Sequence, residues 1–156
     1  MQNNKLKYAN CDIVFQEVPD EITLAINITG CPHKCEGCHS DYLWDYSGNY
    51  VDDDIDSLLD KYKNMITCVC FMGGDQNMEN LKSLLIKVKK EYGLKTCVYS
   101  GVNDIEVFND ILEDLDYLKI GSFNKELGGI NKKTTNQKFY KIHNKNIIDI
   151  TYKFIK

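Results

Sequence analysis

Three thiols fall within the short stretch Cys31-Pro32-His33-Lys34-Cys35-Glu36-Gly37-Cys38, and they set the chemistry open to this chain. Thiolates are the soft ligands that hold iron–sulfur clusters and zinc. A spacing of three and then two intervening residues lets one tight loop turn all of them toward a single point. A closed structural site takes four protein ligands, so three thiols leave one metal position for something else. Two chemistries stay open on spacing alone. One is a [4Fe–4S] cluster with three protein-bound irons and one open iron. The other is a zinc knot completed by His33 or His39.

The elements that must position this loop are legible from patterning. Residues 11–16 read as a short strand, and residues 22–29 as a better one that ends at Gly30. Ile55, Leu58, Leu59 and Tyr62 give a helix its apolar face, with Asp52-Asp53-Asp54 before it as N-cap and first-turn charge. Residues 66–72 form a nearly all-apolar strand of the kind whose two faces are both covered by helices. Leu81, Leu84, Leu85, Val88 and Tyr92 mark a second helix capped by Gly93. Residues 95–99 are a strand, Asn103 caps a third helix through Leu112, and residues 117–120 are a further strand. After a polar loop over 122–136, residues 139–142 and 147–154 suggest a hairpin across Asn144-Lys145.

Strands alternating with helices imply an α/β fold built on parallel strands with crossover helices. Too few such units are present to close an eight-stranded barrel. The expectation is therefore a single domain over 1–156, a partial, open β/α barrel with a C-terminal β hairpin. Gly30 to Cys38, Gly73-Gly74-Asp75, Ser100-Gly101 and Gly121-Ser122 each follow the C-terminal end of a strand. In parallel sheets that edge is where ligands bind.

Composition narrows the class further. The chain has 156 residues, 43% hydrophobic and 27% charged, with a net charge of −4. No strong basic field argues for nucleic acid or an anionic membrane. The N-terminus lacks an apolar signal core and the apolar runs are far short of a span, so a cytoplasmic location is expected. Of the seven cysteines, Cys11, Cys68, Cys70 and Cys97 lie outside the loop, and the last three sit in apolar runs. They read as small buried hydrophobes rather than a second metal site. Trp44 with Tyr42 reads as loop packing, with a partner surface as the other possibility.

The triplet after a first strand, with Gly73-Gly74-Asp75 after the next, resembles the radical S-adenosylmethionine superfamily. Over nearly the whole chain, Gly-Cys-x3-Cys-x-Gly-Cys (30–38), Phe-Met-Gly-Gly-Asp (71–75), Tyr-Ser-Gly (99–101), Tyr-Leu-Lys-Ile-Gly (117–121), Leu-Gly-Gly-Ile-Asn (127–131) and Thr-Thr-Asn-Gln (134–137) resemble the activating proteins of anaerobic ribonucleoside-triphosphate reductase. The resemblance implies Cys31, Cys35 and Cys38 as ligands of a [4Fe–4S] cluster whose open iron chelates S-adenosyl-L-methionine. It places Gly37, Cys38, His39, Gly73, Gly74 and Asp75 against that cofactor, with Ser100 and Gly101 in the same pocket. It implies an oxidoreductase in which the cluster's electron splits the sulfonium and the resulting 5′-deoxyadenosyl radical takes a hydrogen atom from a glycine. The implied partners are the reductase's large subunit and a one-electron donor such as flavodoxin or ferredoxin. Two positions depart from the pattern: Gly37 stands where an aromatic is common, and Gln76 where proline is frequent. Two other functions fit parts of the sequence: a zinc-stabilised binding module without catalysis, and a radical enzyme acting on another substrate.

Overall fold

The computed structural model describes residues 5–31 and 43–155. Eight strands form one sheet: β1 (Lys7–Val14), β2 (Thr23–Ile28), β3 (Asn49–Tyr50), β4 (Cys68–Met72), β5 (Lys95–Tyr99), β6 (Tyr117–Ile120), β7 (Lys138–His143) and β8 (Asn146–Asp149). Their spatial order is β3-β1-β2-β4-β5-β6-β7-β8. The pairs β2–β4, β4–β5 and β5–β6 are parallel. The pairs β3–β1 and β1–β2 on one side, and β6–β7 and β7–β8 on the other, are antiparallel. Four parallel strands thus occupy the middle of a mixed sheet, with antiparallel strands added at both flanks.

Alternation of side chains along each strand divides the interior in two. Val69, Phe71, Val98 and Leu118 point to one face, where they pack with Val51, Ile55, Leu59, Leu81, Leu84 and Leu85. Those residues come from α1 (Val51–Tyr62) and α2 (Met78–Tyr92). Cys68, Cys70, Cys97 and Tyr117 point to the other face and meet Val18, Phe139 and Ile150. Helices therefore cover β4 on one face only, and segments before β2 and after β8 cover the other. The Phe139 ring lies 4.9 Å from that of Phe154 and 5.9 Å from that of Tyr117, centroid to centroid.

Several local expectations need correcting. Asp52, Asp53 and Asp54 lie inside the first turn of α1, and Tyr50 at the N-cap makes no side-chain cap. The acids favour the helix through its dipole alone, and Asp52 also binds Lys5 at 3.0 Å and the Asn80 amide at 3.0 Å. The third helix is a 3-10 segment, Ile105–Asp114, capped by Asp104, whose carboxylate accepts from the Glu106 amide. Its β-branched, aromatic, Asn and Asp residues have weak helix propensity. Asn103 instead accepts from the Ser122 amide at 3.1 Å. β1 begins four residues before the expected start at 11 and ends before Phe15, and the two-residue β3 was not expected. The last strand stops at Asp149, where its carboxylate accepts from the Thr151 amide at 2.9 Å and a 3-10 turn, Thr151–Phe154, replaces the strand expected there. Asn144 and Lys145 both have positive φ, 50° and 67°, which makes the β7–β8 connection a two-residue turn of the primed type.

Among the described residues, no helix is long and apolar enough to cross a membrane.

Candidate functional site

At the C-terminal ends of the parallel strands lies a cavity of about 200 Å³. Its wall carries Cys31 after β2, Gly73 and Asp75 after β4, and Ser100 and Gly101 after β5. The structure thus brings together five of the residues singled out from the sequence. Gly74 lies behind the wall, where a Cβ would come 3.2 Å from Leu81 and 3.3 Å from Leu6. Cys35, Gly37, Cys38 and His39 lie outside the described residues.

Backbone hydrogen bonds fix each of these turns. Gly30 and Cys31 both donate their N–H to the Leu43 carbonyl, at 2.7 and 3.2 Å, so the chain leaving the cysteine loop is strapped to the chain entering it. Gly73 and Gly74 have φ of 112° and 111°, a conformation that other residues adopt at a cost of about 1–3 kcal/mol. The Gly73 N–H donates to the carbonyls of Phe71 (3.0 Å) and Tyr99 (2.9 Å). Gln76, at the position where proline would stiffen the turn, stiffens it by hydrogen bonding. Its Oε1 accepts from the Gly74 amide at 3.2 Å, and its Nε2 donates to the Thr29 carbonyl at 3.0 Å. The glycine turn is thereby tied to the end of β2, one residue before the cysteine loop. Ser100 is buried, and its hydroxyl accepts from the Val102 amide at 3.0 Å.

Sequence reasoning gave no site role to other wall residues, among them Trp44, Met72, Tyr99, Lys119, Phe123 and Gln137. Tyr99, Lys119 and Gln137 lie in motifs that had been noticed, Tyr-Ser-Gly, Tyr-Leu-Lys-Ile-Gly and Thr-Thr-Asn-Gln, but their side chains had no assigned task. Strand alternation was the signal that could have found them, since Met72, Tyr99 and Lys119 occupy matching register positions on β4, β5 and β6. The Lys119 ammonium sits 5.1 Å from the centroid of the Tyr99 ring. Burial pushes the Tyr99 phenol well above its ordinary pKa, and its hydroxyl donates to the Glu17 carbonyl. Tyr99 is thus a neutral wall and floor, not a base.

The donor set suits a sulfur-bound metal group. Cys31 is a free, half-buried thiol on the cavity wall. Beside it, the Trp44 indole Nε1 is buried without an acceptor among the described residues. An unmet buried donor costs about 1–3 kcal/mol, and a group bearing sulfur or carboxylate acceptors next to Cys31 would relieve it. The remaining thiols are different in kind. Cys68, Cys70 and Cys97 are each 0% exposed, and burial is the main cause raising the Cys68 and Cys97 thiols above their ordinary pKa. Among the described residues, no three His, Cys, Asp or Glu side chains converge as a metal site.

Comparison with known proteins gives one match. The model of a family described as 4Fe-4S single cluster domain matches residues 22–148, from the start of the parallel strands into the terminal hairpin. No curated protein matches the chain, and no solved structure does.

Proposed function

The chain belongs to the 4Fe-4S single cluster domain family, and on that footing we propose that it is a radical S-adenosylmethionine activase. Its [4Fe–4S] cluster would be held by Cys31, Cys35 and Cys38. Its task would be to cleave S-adenosylmethionine reductively and take a hydrogen atom from a glycine of anaerobic ribonucleoside-triphosphate reductase. One observation carries the reading: Cys31 and the Gly73–Asp75 turn line one cavity at the C-terminal ends of parallel strands. When bound, the cluster would pass one electron, taken from flavodoxin or ferredoxin, to the sulfonium of its chelating ligand.

The protein's own residues supply position and charge. The strapped glycine turn lets backbone come close to the methionine moiety, where a Cβ on Gly73 would meet Ile28 at 3.3 Å. Asp75 offers a carboxylate for the methionine ammonium and Lys119 a cation for its carboxylate, both on the cavity wall. Ser100 and Gly101 leave the β5 end of the wall small. Apolar Met72, Tyr99 and Phe123 keep water from the reacting centre. The sheet, read as an open, partial barrel, leaves a side through which a glycine-bearing loop of the partner can enter.

The test is anaerobic reconstitution with iron and sulfide, reduction with S-adenosylmethionine present, and mixing with the reductase's large subunit. A glycyl radical seen by electron paramagnetic resonance is the expected result. A colourless protein carrying stoichiometric zinc, or cofactor cleavage with no radical on any glycyl partner, would contradict it.

A further inference from the structure

One acceptor on the cavity wall is not used by this reading. Gln137 is 4% exposed yet lines the cavity. Its Nε2 donates to the Gly121 carbonyl at 3.2 Å, and its backbone N–H donates to the Thr135 hydroxyl at 3.0 Å. An amide anchored through its NH2 cannot flip without losing that bond, so its orientation is fixed. Among the described residues, Oε1 has no partner. The packing beneath is equally tight. A Cβ on Gly121, whose φ is 112°, would come 2.9 Å from the Gln137 Cα and 3.2 Å from its Cγ. Gly121 is thus the space into which Gln137 is set. The preceding residue repeats the arrangement: Asn136 Nδ2 donates to the Ser122 carbonyl at 3.1 Å, and Asn136 Oδ1 is buried and unpartnered among the described residues.

A carbonyl acceptor held in a fixed orientation on the cavity wall takes an N–H donor. The charged ends of a small cofactor have Asp75 and Lys119 instead. Two neutral donors could come here, the exocyclic amine of an adenine and the N–H of a peptide. Position favours the peptide. Gln137 immediately precedes β7, three strand positions from the glycine turn after β4, roughly 14 Å away at about 4.8 Å per strand. It stands four positions from Cys31 and directly after the 123–135 loop, which is half-buried to exposed along its length. Gly101, on the same cavity wall, carries no side chain, as a main chain passing close would need.

We infer that Gln137 is a substrate-binding residue whose Oε1 accepts a main-chain N–H from the glycine-bearing segment of the protein partner. The inference rests on the proposed reading of the site. It is tested with the full chain, reconstituted anaerobically, as wild type and Gln137→Met. Two quantities are read: S-adenosylmethionine binding by equilibrium dialysis, and glycyl-radical formation against the concentration of the reductase's large subunit. Gln137→Met keeps the volume and removes the acceptor. It is expected to raise KM for the large subunit about fivefold, as the loss of one neutral hydrogen bond implies, with cofactor affinity within about twofold of wild type. An equal loss of cofactor affinity would overturn the inference in favour of an adenine contact. An unchanged KM would also overturn it. If wild type takes up no S-adenosylmethionine, the reading of the site falls first and this inference falls with it.

Discussion

The two ends of the four parallel strands are built on opposite rules. At the starting end, one side chain from each strand's entry converges on a single carboxylate. Glu21, just before β2, accepts from the Thr67 hydroxyl (2.6 Å), the Lys95 ammonium (2.9 Å) and the Tyr117 hydroxyl (2.7 Å). Those three lie at the entries to β4, β5 and β6. Glu21 is 7% exposed, so a charge is buried with its hydrogen bonds satisfied. At the finishing end, the same four strands run out into Gly30, Gly73, Ser100-Gly101 and Gly121, and a cavity remains. One end is closed by side chains that satisfy each other. The other is held by backbone bonds and by side chains that bond to backbone, those of Gln76, Ser100 and Gln137, and it leaves a cavity open.

The largest expected break in that contrast is at Cys31. Cys31→Ala should abolish cluster assembly, read by iron and sulfide content, while the unfolding free energy moves by less than about 1 kcal/mol, because the thiol is only half-buried. Glu21→Gln should do the reverse. It should cost about 2 kcal/mol at neutral pH, since hydrogen bonds to a charged group are lost or weakened, and leave cluster content per folded molecule unchanged. The pH dependence follows from the carboxyl's state. Burial alone would raise its pKa, but the bonds from Thr67, Lys95 and Tyr117 outweigh it and the pKa is lowered. Its contribution is therefore full above the ordinary glutamate range and is lost as pH falls through the folded value. Urea unfolding of wild type and Glu21→Gln should converge as pH falls below the ordinary glutamate range. A gap that stays constant would show that the network does not depend on the charge.

A smaller effect is expected at the strap on the glycine turn. Gln76→Ala removes two hydrogen bonds at a partly exposed site and should cost about 1 kcal/mol, with a measurable fall in S-adenosylmethionine affinity. An unchanged affinity would mean that the turn needs no tie to β2. The smallest change is at Cys68, where Cys68→Ala should cost roughly 1 kcal/mol and leave the cluster intact. Loss of the cluster there would contradict the account of the second sheet face as plain core.

The strands and the cavity rim were legible in the sequence because each rests on a local signal. Residues 95–99 and 117–120 are bounded by charge and glycine and occur as strands with those same limits. The glycine breaks announced the rim. The Glu21 network was invisible because its four members are separated by up to 96 positions, and no local pattern ties them together. Gln137 went unassigned for a related reason. Its role depends on a hydrogen bond to Gly121 that only the β6–β7 pairing creates. The 3-10 segment at Ile105–Asp114 shared its apolar spacing with an α-helix, and periodicity over so short a span does not separate the two.

The most direct test of the central claim, that the finishing end of the parallel strands is a cluster and cofactor site, is 5′-deoxyadenosine release. Reconstituted, reduced protein is given S-adenosylmethionine, and wild type, Cys31→Ala and Glu21→Gln are compared per folded molecule. The account predicts release by wild type and Glu21→Gln and none by Cys31→Ala. Release by Cys31→Ala, or none by wild type carrying a full cluster, would contradict it.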